Sequence, residues 1–294
     1  SWGMPRAAGL AMVIATCGAG SGAAEVVVDP PRLVLESSFA EAQLLARRPE
    51  PGRDGAEYAT DLTRTAVWRS ENPAVATVSP SGLVAAVGNG ATRIVAEIEG
   101  ESRAVDVEIR GVEDSPRIDF QRDVLPVLSR SGCNAGACHA SQYGKGGFVL
   151  SVMAFDPQAD HRAIAFASHG RRISPADPPG SLLLEKATNR TPHGGGVRFG
   201  CESTAHRILA AWIAGGAAGP ARDPVAVASL EVAPAKRVAR PGERQQLRAT
   251  AVYADGTRRD VTSWTRFDSM DEGVVQVAAD GLATTAGRGQ GSVM

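Results

Sequence analysis

Residues 61–90 read DLTRTAVWRSENPAVATVSPSGLVAAVGNG, and residues 260–289 read DVTSWTRFDSMDEGVVQVAADGLATTAGRG. One ungapped register joins them. Asp61 and Thr63 meet Asp260 and Thr262, Trp68 meets Phe267, Ser70 meets Ser269, Val75 meets Val274 and Val78 meets Val277. Gly82-Leu83 meets Gly281-Leu282, and Gly88 and Gly90 meet Gly287 and Gly289. A single offset carrying this many matches marks an internal repeat. The chain therefore reads as two copies of one unit, at 25–111 and 227–294, around a middle of another kind.

Both copies have the texture of short β-strands. Val26–Val28 and Leu33–Leu35 are brief apolar runs, and Ala104-Val-Asp-Val-Glu-Ile109 alternates with period two, as a half-buried strand does. Ala254-Asp255-Gly256-Thr257 is a turn between strands, with glycine supplying positive φ. Trp68 and Phe267 share a position and are candidate core aromatics. Many short strands separated by turns predict a small β-sandwich for each copy. In the repeat register Met294 aligns with Val95, so the strand at 104–109 has no counterpart in the second copy. The second sandwich is expected to be C-terminally incomplete, with 227–294 the least stable region.

Composition narrows the function classes. At about 100–200 residues per domain, 294 residues allow two or three domains. Lys plus Arg number 31 against 32 Asp plus Glu, a net charge of -1, which argues against binding bulk nucleic acid. Only 5% of residues are aromatic, so large core side chains are scarce. No run of about 18 apolar residues follows the N-terminus, so no membrane span is expected there.

The N-terminus reads as an export signal. Arg6 is followed by an apolar run from Ala7 to Ala15 and then small residues. Ile14-Ala15-Thr16-Cys17 is a weak lipobox that makes Cys17 a candidate lipid anchor; cleavage after Ala24 is the alternative. Residues 1–24 are thus expected to be removed from an exported protein of the periplasm or cell surface.

The middle, 117–219, opens and closes with amphipathic helices. Phe120, Val124, Val127 and Leu128 share one helical face, Asp119 can cap its start, and Pro126 sits inside the pattern. Ala205, Ile208, Leu209, Trp212 and Ile213 form a second stripe, with Ser203 at its start and Gly215-Gly216 at its end. Between them lies Cys133-Asn-Ala-Gly-Ala-Cys138-His139. Covalent haem attachment needs two thiols and an adjacent imidazole, usually spaced Cys-x-x-Cys-His. Here four residues separate the cysteines, all of them small, and the Cys138-His139 step is intact. Three other readings compete: a zinc site using Cys133, Cys138, Cys201 and a histidine, a Cys133–Cys138 disulfide, and a redox thiol pair.

Two resemblances extend these readings. Val67-Trp-Arg-Ser-Glu-Asn-Pro-Ala-Val-Ala-Thr-Val-Ser79, with Ser81-Gly-Leu-Val84, resembles a bacterial Ig-like group 2 domain, and Tyr253–Thr262 resembles that family's middle hairpin. This implies β-sandwiches outside the cytoplasm, acting as spacers or adhesive modules, with spacing favoured. Ile118–Leu128, Gly132–His139 and Gly144–Ser151 resemble the cytochrome c-like domains of large exported planctomycete-type proteins. So do Phe155-Asp-Pro157, Gly170-Arg-Arg172, Ser181–Leu184, Pro192–Gly196 and the closing helix. That resemblance implies one haem c, attached through Cys133 and Cys138, with His139 the proximal iron ligand. At the family's second ligand position, where Met precedes a Pro pair, this chain has Pro192-His193, which makes His193 the distal ligand; Met153 is its rival, although Phe148–Met153 reads as a core strand. The remaining histidines, His161, His169 and His206, read as surface residues.

The expected fold is multidomain: an all-β Ig-like sandwich, a mainly α cytochrome c-like domain, and a second, truncated Ig-like sandwich. The expected function is electron transfer by an exported haem protein whose redox partner is a protein of unknown identity. The alternative is an adhesive or carbohydrate-associated surface protein, binding cell-surface polysaccharide or protein, whose middle is structural. No paired carboxylates, Ser-His-Asp pattern or phosphate loop stands out, so no catalytic residue is assigned.

Overall fold

The computed structural model describes residues 24–50 and 58–294. The segment read as an export signal, Cys17 included, lies outside the described residues apart from Ala24. The described chain runs from a β region (27–109) through a helical middle (120–214) to a second β region (227–285).

Among the described residues the first region has ten strands: β1 (Val27–Asp29), β2 (Arg32–Leu35), β3 (Glu41–Gln43), β4 (Leu45–Arg48), β5 (Thr60–Asp61), β6 (Val67–Ser70), β7 (Ala76–Val78), β8 (Leu83–Ala86), β9 (Gly90–Ile98) and β10 (Glu101–Ile109). They form three sheets, ordered β1-β4-β5, β2-β10-β9-β6 and β3-β8-β7. Alternation in β10 places Val105, Val107 and Ile109 inside and Asp106 outside, as its period-two pattern requires. With Leu44, Ile94 and Val84 they build one core, against which Trp68 packs. Parallel pairing of β2 with β10 closes the first copy on itself.

The second region has β11 (Val227–Ala233), β12 (Arg244–Gln246), β13 (Arg248–Tyr253), β14 (Arg258–Asp260), β15 (Val275–Val277) and β16 (Leu282–Thr285). Its sheets, β11-β13-β14 and β12-β16-β15, repeat two of the first region's three. The four-stranded sheet is represented among the described residues by a single bridge, Ser269 to Val293, which matches the Ser70–Ile94 pairing of the first copy. The core is correspondingly small: Leu247, Ala249, Phe267 and Ala283 are its buried residues. Each large apolar side chain buried contributes about 1.5–3 kcal/mol, so the second region has far less to resist local opening. Limited proteolysis of the whole chain is expected to cut first within 227–294 and to leave a fragment containing the helical middle. Equal resistance of the two β regions would contradict that order.

In the middle, Asp119 accepts hydrogen bonds from the N–H groups of Gln121 and Arg122. They start a wide helical turn, Phe120–Val124, that runs into α1 (Leu125–Arg130). Pro126 lies in the first turn of α1, where its missing N–H is tolerated. Then come α2 (Pro157–Ala165), α3 (Leu182–Ala187) and α4 (Thr204–Ala214), the last capped by the Ser203 hydroxyl. Phe120, Leu128, Ile164, Leu184, Leu209 and Trp212 meet in one core. No described helix is long and apolar enough to cross a membrane.

Two expectations fail here. Phe148–Met153 is not a core strand; it ends in a single tight turn, and Met153 is 54% exposed with φ of 50°. His161 is not a surface residue. It is buried on α2, its Nε2 lies 2.8 Å from the Ala217 carbonyl, and its ring packs edge-on to Phe120, Phe166 and Trp212. A polar ring can occupy a core when its nitrogen finds a partner there.

Candidate functional site

The loop after α1 is closed by its own backbone. Cys133 N–H donates to the Leu128 carbonyl at 2.9 Å, Cys138 N–H to Ala135 at 2.9 Å, and His139 N–H to Cys133 at 3.1 Å. Asn134 takes up the extra length between the cysteines. It is buried, and its Nδ2 donates to the Ser129 hydroxyl at 2.8 Å, which ties the loop to α1. Burial pushes the Cys133 thiol up to about 11, so the sulfur stays protonated at neutral pH. That speaks against a reactive thiolate of a redox pair. Both cysteines are free thiols, so the disulfide reading has no support in this geometry.

His139 Nδ1 lies 3.1 Å from the Phe148 carbonyl. A glycine makes that approach possible. Gly144 has φ of 62°, and a side chain there would put its Cβ 2.0 Å from the Phe148 oxygen. Burial is the main cause that lowers the His139 pKa below its ordinary value. Across the cavity, His193 follows the short helix α3. Its N–H donates to Asn189 Oδ1 at 3.0 Å, and its Nδ1 lies 3.0 Å from the Gly196 carbonyl. At Gly195 a side chain would meet the His193 ring, with Cβ 2.8 Å from Cε1.

The two imidazole ring planes are 10° apart and their centroids 6.2 Å apart. Each Nδ1 on a carbonyl selects the tautomer that carries its proton there and leaves the lone pair on Nε2. Two imidazoles ligating one metal from opposite sides set their centroids about 6 Å apart, two metal–nitrogen bonds of about 2.0 Å plus two ring radii. Cys133, Cys138, His139 and His193 all line one cavity of about 600 Å³, within the range of roughly 300–1,000 Å³ for pockets that hold small molecules and cofactors. Its lining includes Phe148, Leu182 and Leu183 together with Lys145, Arg171, the buried Arg172, Lys186 and Arg198, and no carboxylate. Arg198 Nε is buried there without a hydrogen-bond partner. Apolar walls, nearby cations, two thiols and two near-parallel imidazoles are a donor set that a covalently held, anionic iron porphyrin would fit.

Met153 is not among the residues lining this cavity, which leaves it without a position for the rival-ligand role. Cys201 is exposed and outside the cavity as well, and among the described residues no three His, Cys, Asp or Glu side chains are grouped to hold a metal ion. The zinc reading therefore lacks its third thiolate. Residues that the sequence reading passed over are Asn134, whose burial anchors the widened cysteine loop, and Arg198. Asn134 carries no local signal; its burial depends on α1 passing beneath it.

Residues 64–97 match the family model described as Intimin, immunoglobulin-like domain. This segment runs from just before β6 through most of β9, so the first β region carries an intimin-type Ig-like segment. Among solved structures, the chain is similar to a crystal structure of an EHEC O157:H7 intimin mutant, at 19% identity and a TM-score of 0.22. The match covers 36% of this chain and 56% of that one. Among curated proteins nothing matches.

Proposed function

We propose that the chain is an exported electron carrier of the periplasm or cell surface in which the helical middle holds one covalently attached haem c between two Ig-like units. The observation that carries this reading is the pair of near-parallel imidazoles set across a cavity that both cysteines line. His139 and His193 would hold the iron through Nε2, each ring oriented by a backbone carbonyl on its Nδ1. Cys133 and Cys138 are the attachment thiols, which prevent loss of the group outside the cell. Bound haem supplies one-electron chemistry at its iron. A histidine in place of methionine as second ligand lowers the reduction potential. With two imidazoles of this chain available to the iron, the site would suit electron transfer to a partner protein rather than capture of a gas.

The test is spectroscopic. Protein exported with c-type maturation factors should be red, with an intense Soret band and a low-spin ferric spectrum lacking the weak near-infrared band of methionine ligation. His193→Ala should convert it to a high-spin form that binds carbon monoxide when reduced. An unchanged spectrum and potential in that variant would remove His193 from the assignment.

A second reading is favoured by the intimin-type segment at 64–97: a bacterial cell-surface adhesion protein that contacts surface polysaccharide or protein through its Ig-like units, with a structural middle. Exported protein that stays colourless under maturation conditions selects this reading. An exported location, in the periplasm or at the cell surface, belongs to both, as does Cys17 as a candidate lipid anchor.

A further inference from the structure

The two β regions touch through equivalent elements. Asp61 Oδ1 accepts from the Thr63 N–H at 3.0 Å and the Thr63 hydroxyl at 2.6 Å. Asp260 Oδ1 accepts from the Thr262 N–H at 2.9 Å. Each carboxylate then reaches across with its second oxygen. Asp61 Oδ2 accepts from the Gln246 N–H at 2.6 Å, and Asp260 Oδ2 accepts from the Gln43 N–H at 2.9 Å. Gln43 and Gln246 are themselves equivalent. Both are buried, and each side-chain amide donates to the next residue's carbonyl and to a turn carbonyl, Ser81 or Asp280. The contact is a reciprocal, two-fold-like clasp of the kind that joins identical subunits.

Charge breaks this symmetry at two places. Arg64 donates to Gln246 Oε1 at 2.9 and 2.6 Å and pairs with Asp280 at 2.6 Å. The register equivalents of Arg64 and Asp280 are Ser263 and Ser81. Arg248 pairs with Asp29 at 2.6 Å. The equivalents of Arg248 and Asp29 are Leu45 and Ala233, which instead line a small shared cavity. A first unit facing a first unit would set Arg64 against Ser81 and Asp29 against Leu45. A second unit facing a second would set Asp280 against Ser263 and Arg248 against Ala233. Only first against second pairs both cations, and specificity follows from the unpaired charges of the wrong combinations.

We infer that the two Ig-like units are a cognate, heterotypic recognition pair, each the partner for the other within one chain, selected by Arg64–Asp280 and Arg248–Asp29. The helical middle completes a ring. Arg259 of the second unit pairs with Asp123 at 2.7 Å and donates to the Arg122 carbonyl at 3.3 Å. Arg122 in turn lies over the Tyr253 ring, 4.0 Å from its centroid. On the other side Thr204 donates to Glu41 at 2.8 Å. The two units therefore act as a closed mount that fixes the orientation of the middle and its cavity, rather than as links of an extended stalk.

Small-angle scattering of the full chain tests this, with variants Arg64→Glu and Asp280→Arg alone and combined. The wild type should scatter as a compact body at physiological salt. Each single reversal should enlarge the radius of gyration and speed cleavage at 219–226 several-fold, and the double reversal should recover part of both, because Glu at 64 cannot donate to Gln246 Oε1 as Arg64 does. Far-UV circular dichroism identifies any variant that unfolds; Arg248→Ala then serves as the milder probe, with the same direction of change. Extended scattering by the wild type overturns the inference. So do single variants indistinguishable from it, a folded double variant that stays open, and a concentration-dependent doubling of mass, which would place the pairing between copies. None of these readouts depends on haem, so the inference stands or falls separately from the electron-transfer reading.

Discussion

Replacing Cys133 and Cys138 together by serine is expected to abolish haem staining on a denaturing gel, whereas the wild type should keep its haem through acid acetone. The reason is positional. The backbone bonds from Cys133 to Leu128 and from His139 to Cys133 close the loop, so both sulfurs line the same cavity as the His139 ring although four residues separate them. Each thiol would add across one vinyl group, its S–H hydrogen going to the neighbouring carbon, so each single variant should retain one thioether and still stain. The double variant should bind haem through His139 and His193 alone and lose it to denaturant, as non-covalent haem is lost when the ligands' geometry is lost. Staining that persists in the double variant, or wild-type haem that acid acetone extracts, would sink covalent attachment. A low-spin spectrum retained in the double variant under native conditions would separate the role of the thiols from that of the imidazoles.

Trp212→Ala should be the most damaging single substitution in the helical middle, costing about 3–5 kcal/mol, against a whole-domain stability of roughly 5–15 kcal/mol. Trp212 is 2% exposed, its indole N–H donates to the Ala218 carbonyl at 2.9 Å, and its ring packs against Phe120 at 5.5 Å between centroids. Removing it opens a cavity where α4 crosses the turn that leads into α1, and α1 delivers Cys133 to the site. Chemical denaturation of the two proteins should show the difference as a lower midpoint with little change in slope. Phe155→Ala is the control. Phe155 is 91% exposed, so its loss should change stability by no more than about 0.5 kcal/mol. Equal midpoints for Trp212→Ala and wild type would show that the middle does not depend on this packing.

Much of the fold was legible locally. The alternation of residues 104–109 became β10, the Ala254–Thr257 turn became the connection from β13 to β14, and the stripe from Ala205 to Ile213 became α4 with Ser203 as its cap. These patterns survive because each reports one face of one element, and that face is set by neighbours within a turn or two. The site was legible in part for the same reason. Cys133, Cys138 and His139 are adjacent in sequence, and His193 stood at a position that the resemblance marked. Their convergence on one cavity was not legible, because the carbonyls beside each ring come from Phe148 and Gly196, whose placement depends on glycine-bearing loops.

What misled was local pattern without its packing context. Met153 ends an apolar run and looked like strand, yet the chain turns there and leaves it in solvent. His161 reads as a surface histidine, yet the Ala217 carbonyl and three aromatic rings surround it. The repeat itself was visible only in its second half. Ahead of Asp61 and Asp260 the connection is longer in the first copy, so Gln43 and Gln246 fall out of the ungapped register and only the matching strand pairs, β3 with β8 and β12 with β16, reveal them as equivalent. By itself the amino-acid order determined the two β copies, the amphipathic helices between them and the cysteine-histidine run, because periodicity, turn residues and short-range spacing are properties of neighbours. Only the tertiary structure decided that Asp61 and Asp260 clasp opposite copies, that His139 and His193 lie parallel across one cavity, and that Asn134 is buried. Those outcomes depend on which distant surfaces meet, and long-range packing is chosen by the shape and charge of whole faces rather than by any stretch of the chain.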